Sequence, residues 1–312
     1  MVPSPLGATV FHPTWSQEEL LERKGSRTVS VVLPALNEQD TIAGVIASMR
    51  GLLGTLIDEL IVIDSGSTDH TVADARAAGA TVYTREQALP AVEPRPGKGE
   101  VLWRSLAVTT GDLIVFVDSD LIAPSPLFVP SLLAPLLLDD ELRLVKGFYR
   151  RPLSGTGRAD FGGGRVTELL ARPLLTALVP ELAALIQPLG GEYAATREFL
   201  TAIPFAPGYG VEIGILLDAW KLHGAEAIGQ VDLGIRAHRN RPTHELAVMS
   251  RQVVATLLAR IGIPDSGVAL RQYLPHGSSW RTAETELSLL DRPPLAELID
   301  SGVMVAREIE VR

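Results

Sequence analysis

Apolar residues in the first half of the chain fall into two alternating kinds of run. Residues 29–33, 60–63 and 113–117 are short and rich in β-branched side chains and predict strands, and the last, unbroken run suits a central strand covered on both faces. Between the first two, Ile42, Val45, Ile46 and Met49 recur at helical spacing, with a start expected near Asp40. A second helix is expected from about Asp69, a suitable N-cap, followed by a short strand over 81–84. Residues 89–99 read as a Pro- and Gly-rich loop opening into a helix over 101–108.

Strands alternating with helices from residue 28 to about 148 predict an α/β fold with a mainly parallel sheet, whose ligands lie beyond the carboxyl ends of the strands. The polar clusters at 34–38, 64–69 and 118–120 all follow such ends. Further on, residues 150–164 are Gly-rich and basic with no apolar period and are expected to form a mobile loop. A long helical region is expected over 166–186, a glycine-rich patch around Tyr209, and a strand over 227–236 leading to His238. From Thr243 the chain reads as helix and then as a tail with little pattern. The division expected is a first half over 1–148, a second half over 149–262 and a C-terminal extension over 263–312.

Composition narrows the function classes. With 312 residues, 46% hydrophobic and 21% charged, the chain has the make-up of a globular protein able to bury a sizeable core. A net charge of −9 argues against nucleic acid as a partner. The absence of cysteine excludes disulfides, thiolate metal sites and cysteine nucleophiles and fits a reducing compartment. The cytoplasm is therefore expected. Residues 1–15 lack the basic cluster and apolar core of a signal peptide. The most apolar stretches, 127–138 and 174–189, are interrupted by prolines or Glu181 and fall short of the roughly 18 uninterrupted apolar residues of a membrane span. They read as buried helices, with no integral membrane contact.

Asp118-Ser119-Asp120 stands after the most apolar of the predicted strands. Carboxylates there are placed to hold Mg²⁺ or Mn²⁺ against the diphosphate of a leaving nucleotide. Alone the triplet equally describes a solvated acidic turn; its place after a buried strand is what points to chemistry. Asp69 is accounted for as a helix cap, which leaves Asp64 as a candidate. Pro34-Ala35-Leu36-Asn37-Glu38 offers backbone groups and a carboxylate to a base or ribose, or else forms a turn with Glu38 at a helix N-terminus. Lys98, between Gly97 and Gly99, reads either as a flexible cation for phosphate or sugar oxygens or as a solvated surface lysine. Arg165 with Thr167 at a helix start suits an anion. Glu212 after Gly208-Tyr209-Gly210 can reach sugar hydroxyls or simply complement a helix dipole. His238, among Arg236, Arg239 and Arg241, is a candidate imidazole ligand.

Three of these segments, in this order and spacing, resemble the nucleotide-sugar glycosyltransferases of the GT-A fold: Val-Val-Leu-Pro-Ala-Leu-Asn-Glu, Val-Ile-Asp-Ser-Gly-Ser-Thr-Asp and Phe-Val-Asp-Ser-Asp. The resemblance implies that Pro34, Ala35, Leu36 and Glu38 contact uridine and ribose, with Ser65 near the nucleotide. It also implies that Asp118 and Ser119 hold the nucleotide-sugar, and that Asp120 with His238 ligates the metal. Pro96-Gly97-Lys98-Gly99, Gly164-Arg165-Val166-Thr167-Glu168, Gly190-Gly191-Glu192-Tyr193, Gly208-Tyr209-Gly210-Val211-Glu212 and Arg236-Ala237-His238-Arg239-Asn240 are similar to the narrower family of glucosyl-3-phosphoglycerate synthases. These are retaining enzymes that move glucose from UDP-glucose to 3-phosphoglycerate, an early step in methylglucose polysaccharide or glucosylglycerate synthesis.

That narrower resemblance implies catalytic roles for Lys98, Asp118 and Glu212. It implies substrate contacts from Gly164, Arg165, Thr167, Tyr209, Glu212 and Asn240, and a homodimer with a helical C-terminal acceptor and dimerisation region. Retention would follow from same-face attack, the departing phosphate taking the proton. Two alternatives stay open at this level. One is an inverting transferase of the same fold acting on a lipid phosphate or polysaccharide. The other is a nucleotidyltransferase or non-catalytic nucleotide-sugar binding module.

Overall fold

A computed structural model describes residues 9–122, 124–150, 164–235 and 242–300. Strand β1 (Thr9–Phe11) and helix α1 (Gln17–Lys24) come first. The alternating region then runs β2 (Val29–Ala35), α2 (Ile42–Met49), β3 (Glu59–Asp64), α3 (Thr71–Ala77), β4 (Thr81–Thr84), the single turn α4 (Arg85–Ala88), α5 (Lys98–Ser105) and β5 (Leu113–Phe116). It continues with α6 (Phe128–Leu138), β6 (Leu144–Arg150), α7 (Arg172–Leu178), β7 (Tyr193–Thr196), α8 (Arg197–Ala202), α9 (Val211–His223) and β8 (Ile228–Ile235). Helix α10 (Thr243–Arg260), a hairpin of β9 (Leu270–His276) and β10 (Ser279–Thr285), and α11 (Leu295–Asp300) complete the described chain.

Among the described residues one sheet of eight strands has the order β1-β8-β6-β7-β5-β2-β3-β4. All pairings are parallel except those of β7, which runs antiparallel to both β5 and β6. The chain thus has the mainly parallel α/β architecture expected of a GT-A fold, and the sheet draws strands from both sides of residue 148.

The sheet is central because its strands are apolar on both faces. Val29, Val31 and Leu33 enter the core on one side with Ile42, Ile46 and Leu132 from α2 and α6. Val32, Ile114 and Phe116 enter the opposite core with Trp103, Phe199 and Leu216 from α5, α8 and α9. Successive residues of one strand therefore serve different layers, which is what period-two geometry demands of an unbroken apolar run.

Three expectations need correction. Helices α2 and α3 each start two residues after Asp40 and Asp69, and in the second case Asp69 is used within the preceding loop. Its carboxylate accepts Thr71 N (3.0 Å) and Oγ1 (2.5 Å) and Gln39 N (3.3 Å). The long helix over 166–186 is instead a π-turn (Thr167–Ala171), α7 and a 3₁₀ turn (Pro180–Leu182). Pro173 lacks the amide N–H an α-helix needs, and Pro180 disfavours helical geometry at Val179, which adopts φ −143°. The region after Arg260 contains the antiparallel β9–β10 hairpin, closed by Gly277-Ser278 between the paired His276 and Ser279. Gly277 has φ +60°, the positive value a two-residue hairpin turn takes.

Candidate active site

The first three polar clusters converge because their strands are neighbours. In the order β5-β2-β3, Ala35 pairs with Asp64 and Val32 with Phe116, so the segments that follow leave the sheet along one edge. The loops are cross-linked there: Ser119 Oγ donates to Pro34 O (2.6 Å), Ser65 N to Ala35 O (2.8 Å) and Asn37 N to Ser67 Oγ (2.9 Å). Asn37 sits at φ +57°, a left-handed conformation that asparagine adopts more readily than most residues, and its Oδ1 accepts Thr68 N at 2.9 Å from the neighbouring loop. Glu38 N donates to Thr71 Oγ1 (2.7 Å), fixing the half-buried Glu38 beside the mouth of the cluster. Leu36 is left 51% exposed at the same edge, an apolar side chain available to a flat ligand.

Asp64 has a structural use. Its carboxylate accepts Gly66 N (2.9 Å) and Ser67 N (3.1 and 3.2 Å), closing the turn after β3, a use that accounts for Asp64 without a ligand.

Lys98 is neither on a flexible loop nor solvated: it is the first residue of α5 and 17% exposed. Its Nζ donates to Asp118 Oδ1 at 2.6 Å and lies 2.7 Å from Glu212 Oε1. The first turn of α5 reaches this position because it lies flush against the backbone at 206–208. A methyl group at Gly99 would overlap Ala206 O, so any larger residue would push α5 away from the segment leading into α9. Glu212, at the second residue of α9, is only 5% exposed and benefits from the positive end of that helix. Burial opposes the Lys98 charge, yet Asp118 and Glu212, with Tyr193, hold its pKa well above the usual lysine range. Lys98 therefore stays protonated between two carboxylates near the carboxyl end of β5, a fixed ammonium of the kind that stabilises an anion leaving a substrate.

Asp120 is half-buried on the same turn as Asp118. Among the described residues no three carboxylates or imidazoles assemble into a cage. Oxygen donors of this kind suit Mg²⁺ or Mn²⁺, which are commonly held by one or two carboxylates together with phosphate oxygens and water. His238 and Asn240, expected to complete the metal shell and the acceptor site, lie outside the described residues, as does most of the 150–164 loop. Thr167 is buried at the start of the π-turn while Arg165 and Gly164, just before it, are exposed and half-buried. Tyr209 is held by a bond from its N–H to Gln252 Oε1 (3.0 Å) on α10, opposite the loop that carries Gly97.

Two buried polar side chains stand beside the cluster: Lys146, which sequence reasoning misses, and Tyr193, which it quotes without a role. Lys146 projects from β6 and Tyr193 is its register partner on β7. The Lys146 ammonium lies 4.4 Å from the Tyr193 ring centroid, and the Tyr193 hydroxyl has no hydrogen-bond partner among the described residues. Burial pushes Lys146 down to about 8, against the pull of Glu212, Glu192 and Asp118, and Lys98 pushes it further down. Burial also pushes the Tyr193 hydroxyl well above the usual range, with Glu212 and Asp118 adding to the rise and Lys98 opposing it. A lone lysine within the otherwise apolar run Leu144-Val145-Lys146-Gly147-Phe148 was the available signal.

Residues 30–158 match the glycosyl transferase family 2. The chain is 62% identical over 287 residues to the glucosyl-3-phosphoglycerate synthase of Mycolicibacterium smegmatis, covering 92% of this chain and 95% of that protein. It is 46% identical over 245 residues to the enzyme of the same name from Petrotoga mobilis, covering 77% and 75%. In three dimensions it is similar to the glucosyl-3-phosphoglycerate synthase of Mycobacterium tuberculosis in complex with Mn²⁺, UDP and phosphoglyceric acid, with a TM-score of 0.88 and 60% identity over 94% of this chain and 99% of that one. Identity at this level over nearly the full length of both chains, joined to the same architecture, establishes that the chain belongs to the glucosyl-3-phosphoglycerate synthases.

Proposed function

We propose that the protein transfers glucose from UDP-glucose to the hydroxyl of 3-phosphoglycerate, giving glucosyl-3-phosphoglycerate and UDP. The observation that carries this reading is the Lys98 ammonium held between Asp118 and Glu212 at the carboxyl end of β5, in a chain this similar to enzymes of that activity. Uridine and ribose would lie along Pro34, Ala35, Leu36 and Glu38, with Ser65 and Ser119 close by. Lys98 would stabilise the leaving diphosphate, while Asp118 and Glu212 orient the glucose hydroxyls. Gly164, Arg165, Thr167, Tyr209 and Asn240 would receive the acceptor, the guanidinium facing its anionic groups.

Asp120 and His238 would hold Mg²⁺ or Mn²⁺, which when bound neutralises charge on the diphosphate. Retention of configuration is proposed to follow from same-face attack by the acceptor hydroxyl, with the departing phosphate accepting the proton. The proposed setting is the cytoplasm, in keeping with the absence of cysteine; no helix of the described residues is long and apolar enough to cross a membrane. A homodimer is also proposed. The β9–β10 ribbon supports it, because it presents Tyr273 and Trp280 to solvent outside the main sheet.

Purified protein incubated with UDP-glucose, 3-phosphoglycerate and Mg²⁺ should yield a glucosylated phosphoglycerate by mass spectrometry, with an α-anomeric signal by NMR. UDP-glucose left intact in the presence of acceptor and metal would overturn the assignment.

A further inference from the structure

Lys146 is buried in β6 with 3% of its surface exposed, and the reaction proposed above gives it no part. Its Nζ donates to Gly190 O at 2.6 Å. Gly190 opens the turn into β7, and the rest of that turn is tied to β6 and β8 by further buried polar groups. Gln187 Nε2 donates to Tyr149 O (2.6 Å), Gly147 N donates to Glu192 O (2.9 Å), and Gln230 Oε1 accepts Ile186 N (2.7 Å). The next residue, Gly191, packs directly against Asp118: a methyl group there would overlap both carboxylate oxygens. The Gly190-Gly191 backbone is thus the wall against which the Asp118 carboxylate rests.

From this chain of contacts we infer that Lys146 is a positioning residue: by holding Gly190 O it sets the Gly190-Gly191 turn and, through it, the place of the Asp118 carboxylate. The inference rests on the donor-site role proposed for Asp118. A buried ammonium is an expensive way to satisfy one carbonyl, since the charge must be taken out of water. Its retention is explained when the ammonium also stands behind Asp118 and Glu212 as a compensating charge, with the Tyr193 ring face covering it. Displacing a substrate-positioning group by about 1 Å lowers turnover on the order of a hundredfold, so even a small shift of the wall would be read in kcat.

The experiment compares wild type, Lys146→Met, Asp118→Asn and the double variant in steady-state transfer with UDP-glucose and 3-phosphoglycerate, with circular dichroism to check folding. Lys146→Met removes the donor while nearly preserving length. It should lower kcat about ten- to a hundredfold, the loss expected for one hydrogen bond to a charged donor, with KM for 3-phosphoglycerate changed by less than about threefold. Added to Asp118→Asn, the same substitution should cost less than about threefold further, because the residue it acts through is already disabled. A kcat within threefold of wild type, or a loss that multiplies in full on the Asp118→Asn background, would overturn the inference. If Lys146→Met does not fold, Lys146→Leu, which is shorter and likewise has no donor, goes through the same cycle, and the same two results would overturn the inference. An inactive wild type would instead defeat the proposed function, so the two failures are distinguishable.

Discussion

At the first residue of α5, Lys98 meets Asp118 and Glu212; two residues further along the same helix, Glu100 meets Arg104 and Arg292. Both clusters bury opposite charges, yet they are finished differently. Glu100 Oε1 accepts from Arg104 Nε (2.6 Å), Arg292 Nη2 (2.8 Å) and Arg95 N (3.2 Å), and Oε2 accepts from Arg292 Nε (2.7 Å). The remaining guanidinium donors reach the carbonyls of Arg85, Leu89, Val92 and Glu93. Burial works against the Glu100 charge, and Arg292 and Arg104 outweigh it, holding its pKa below the usual range.

This closed cluster clips the C-terminal segment to α5, helped by Trp103 Nε1 donating to Pro293 O (2.8 Å). The Lys98 cluster, by contrast, retains partial exposure, an unsatisfied Tyr193 hydroxyl and a neighbouring lysine with a depressed pKa. Charge and burial alone therefore do not mark a site. What marks it is hydrogen-bonding capacity left incomplete by the protein and facing the strand ends.

The largest effect is expected at the closed cluster. Arg292→Ala strands Glu100 with half its partners, and removing one member of a buried ion pair costs about 3–5 kcal/mol. Urea denaturation should show that loss, while turnover per folded molecule stays within about threefold of wild type; unchanged stability would show the clip to be dispensable. At the open cluster, Lys98→Met should lower kcat/KM about a hundred- to a thousandfold, the scale of one preorganised donor to developing charge, with a smaller stability change than Arg292→Ala. Retained activity would remove Lys98 from the chemistry.

Arg165, an exposed cation outside both clusters, provides a third reference point. Arg165→Ala should reduce kcat/KM for 3-phosphoglycerate about ten- to a hundredfold at fixed ionic strength, chiefly through KM and with UDP-glucose KM little affected. A selective loss of UDP-glucose affinity would assign the residue to the donor side instead.

The smallest effect is in the pH dependence of stability. The Lys146 pKa in the folded state is pushed down to about 8 from its ordinary 10.5, because burial, with Lys98 adding to it, outweighs the pull of Glu212, Glu192 and Asp118. Between those values the unfolded chain holds the proton and the folded chain has released it. Its contribution to stability therefore rises with pH, by at most about 1.4 kcal/mol per pH unit. Lys98, whose pKa is raised, has the opposite sign and acts only above the unfolded value of 10.5. Urea midpoints of wild type and Lys146→Met should thus move apart in favour of wild type from about pH 8 to pH 10; a constant difference would contradict the depressed pKa.

Much of the molecule is legible in the sequence where the signal is local. The strands at 29–33, 60–63 and 113–117 declare themselves as apolar runs rich in β-branched residues, and the candidates Pro34 and Asp118 stand at their ends, while Ser65 is named only through the family resemblance. Strand β7 is not legible, because Tyr-Ala-Ala-Thr is too short to show a period and is a strand only by virtue of the partners on either side. The β9–β10 hairpin is hidden although Gly277-Ser278 is a usable turn signal, since the flanking residues are mostly exposed and carry little apolar alternation. Asp64 invites over-reading, because nothing in its neighbours announces that two amide N–H groups turn back onto its carboxylate.

Local sequence suffices for the alternation of strands and helices, the mainly parallel sheet and the acidic groups at its carboxyl edge, because each depends on periodicity and strand-end chemistry within a few residues. It does not suffice for the placing of Lys98 between Asp118 and Glu212, the return of Arg292 to Glu100, or the position of Lys146 behind the Gly190-Gly191 turn. Lys98 and Asp118 are 20 positions apart in the chain, and Glu100 and Arg292 are 192 apart. Their encounter is set by strand order and helix packing, which bring distant side chains into a low-dielectric interior where each buried charge must find its counterpart.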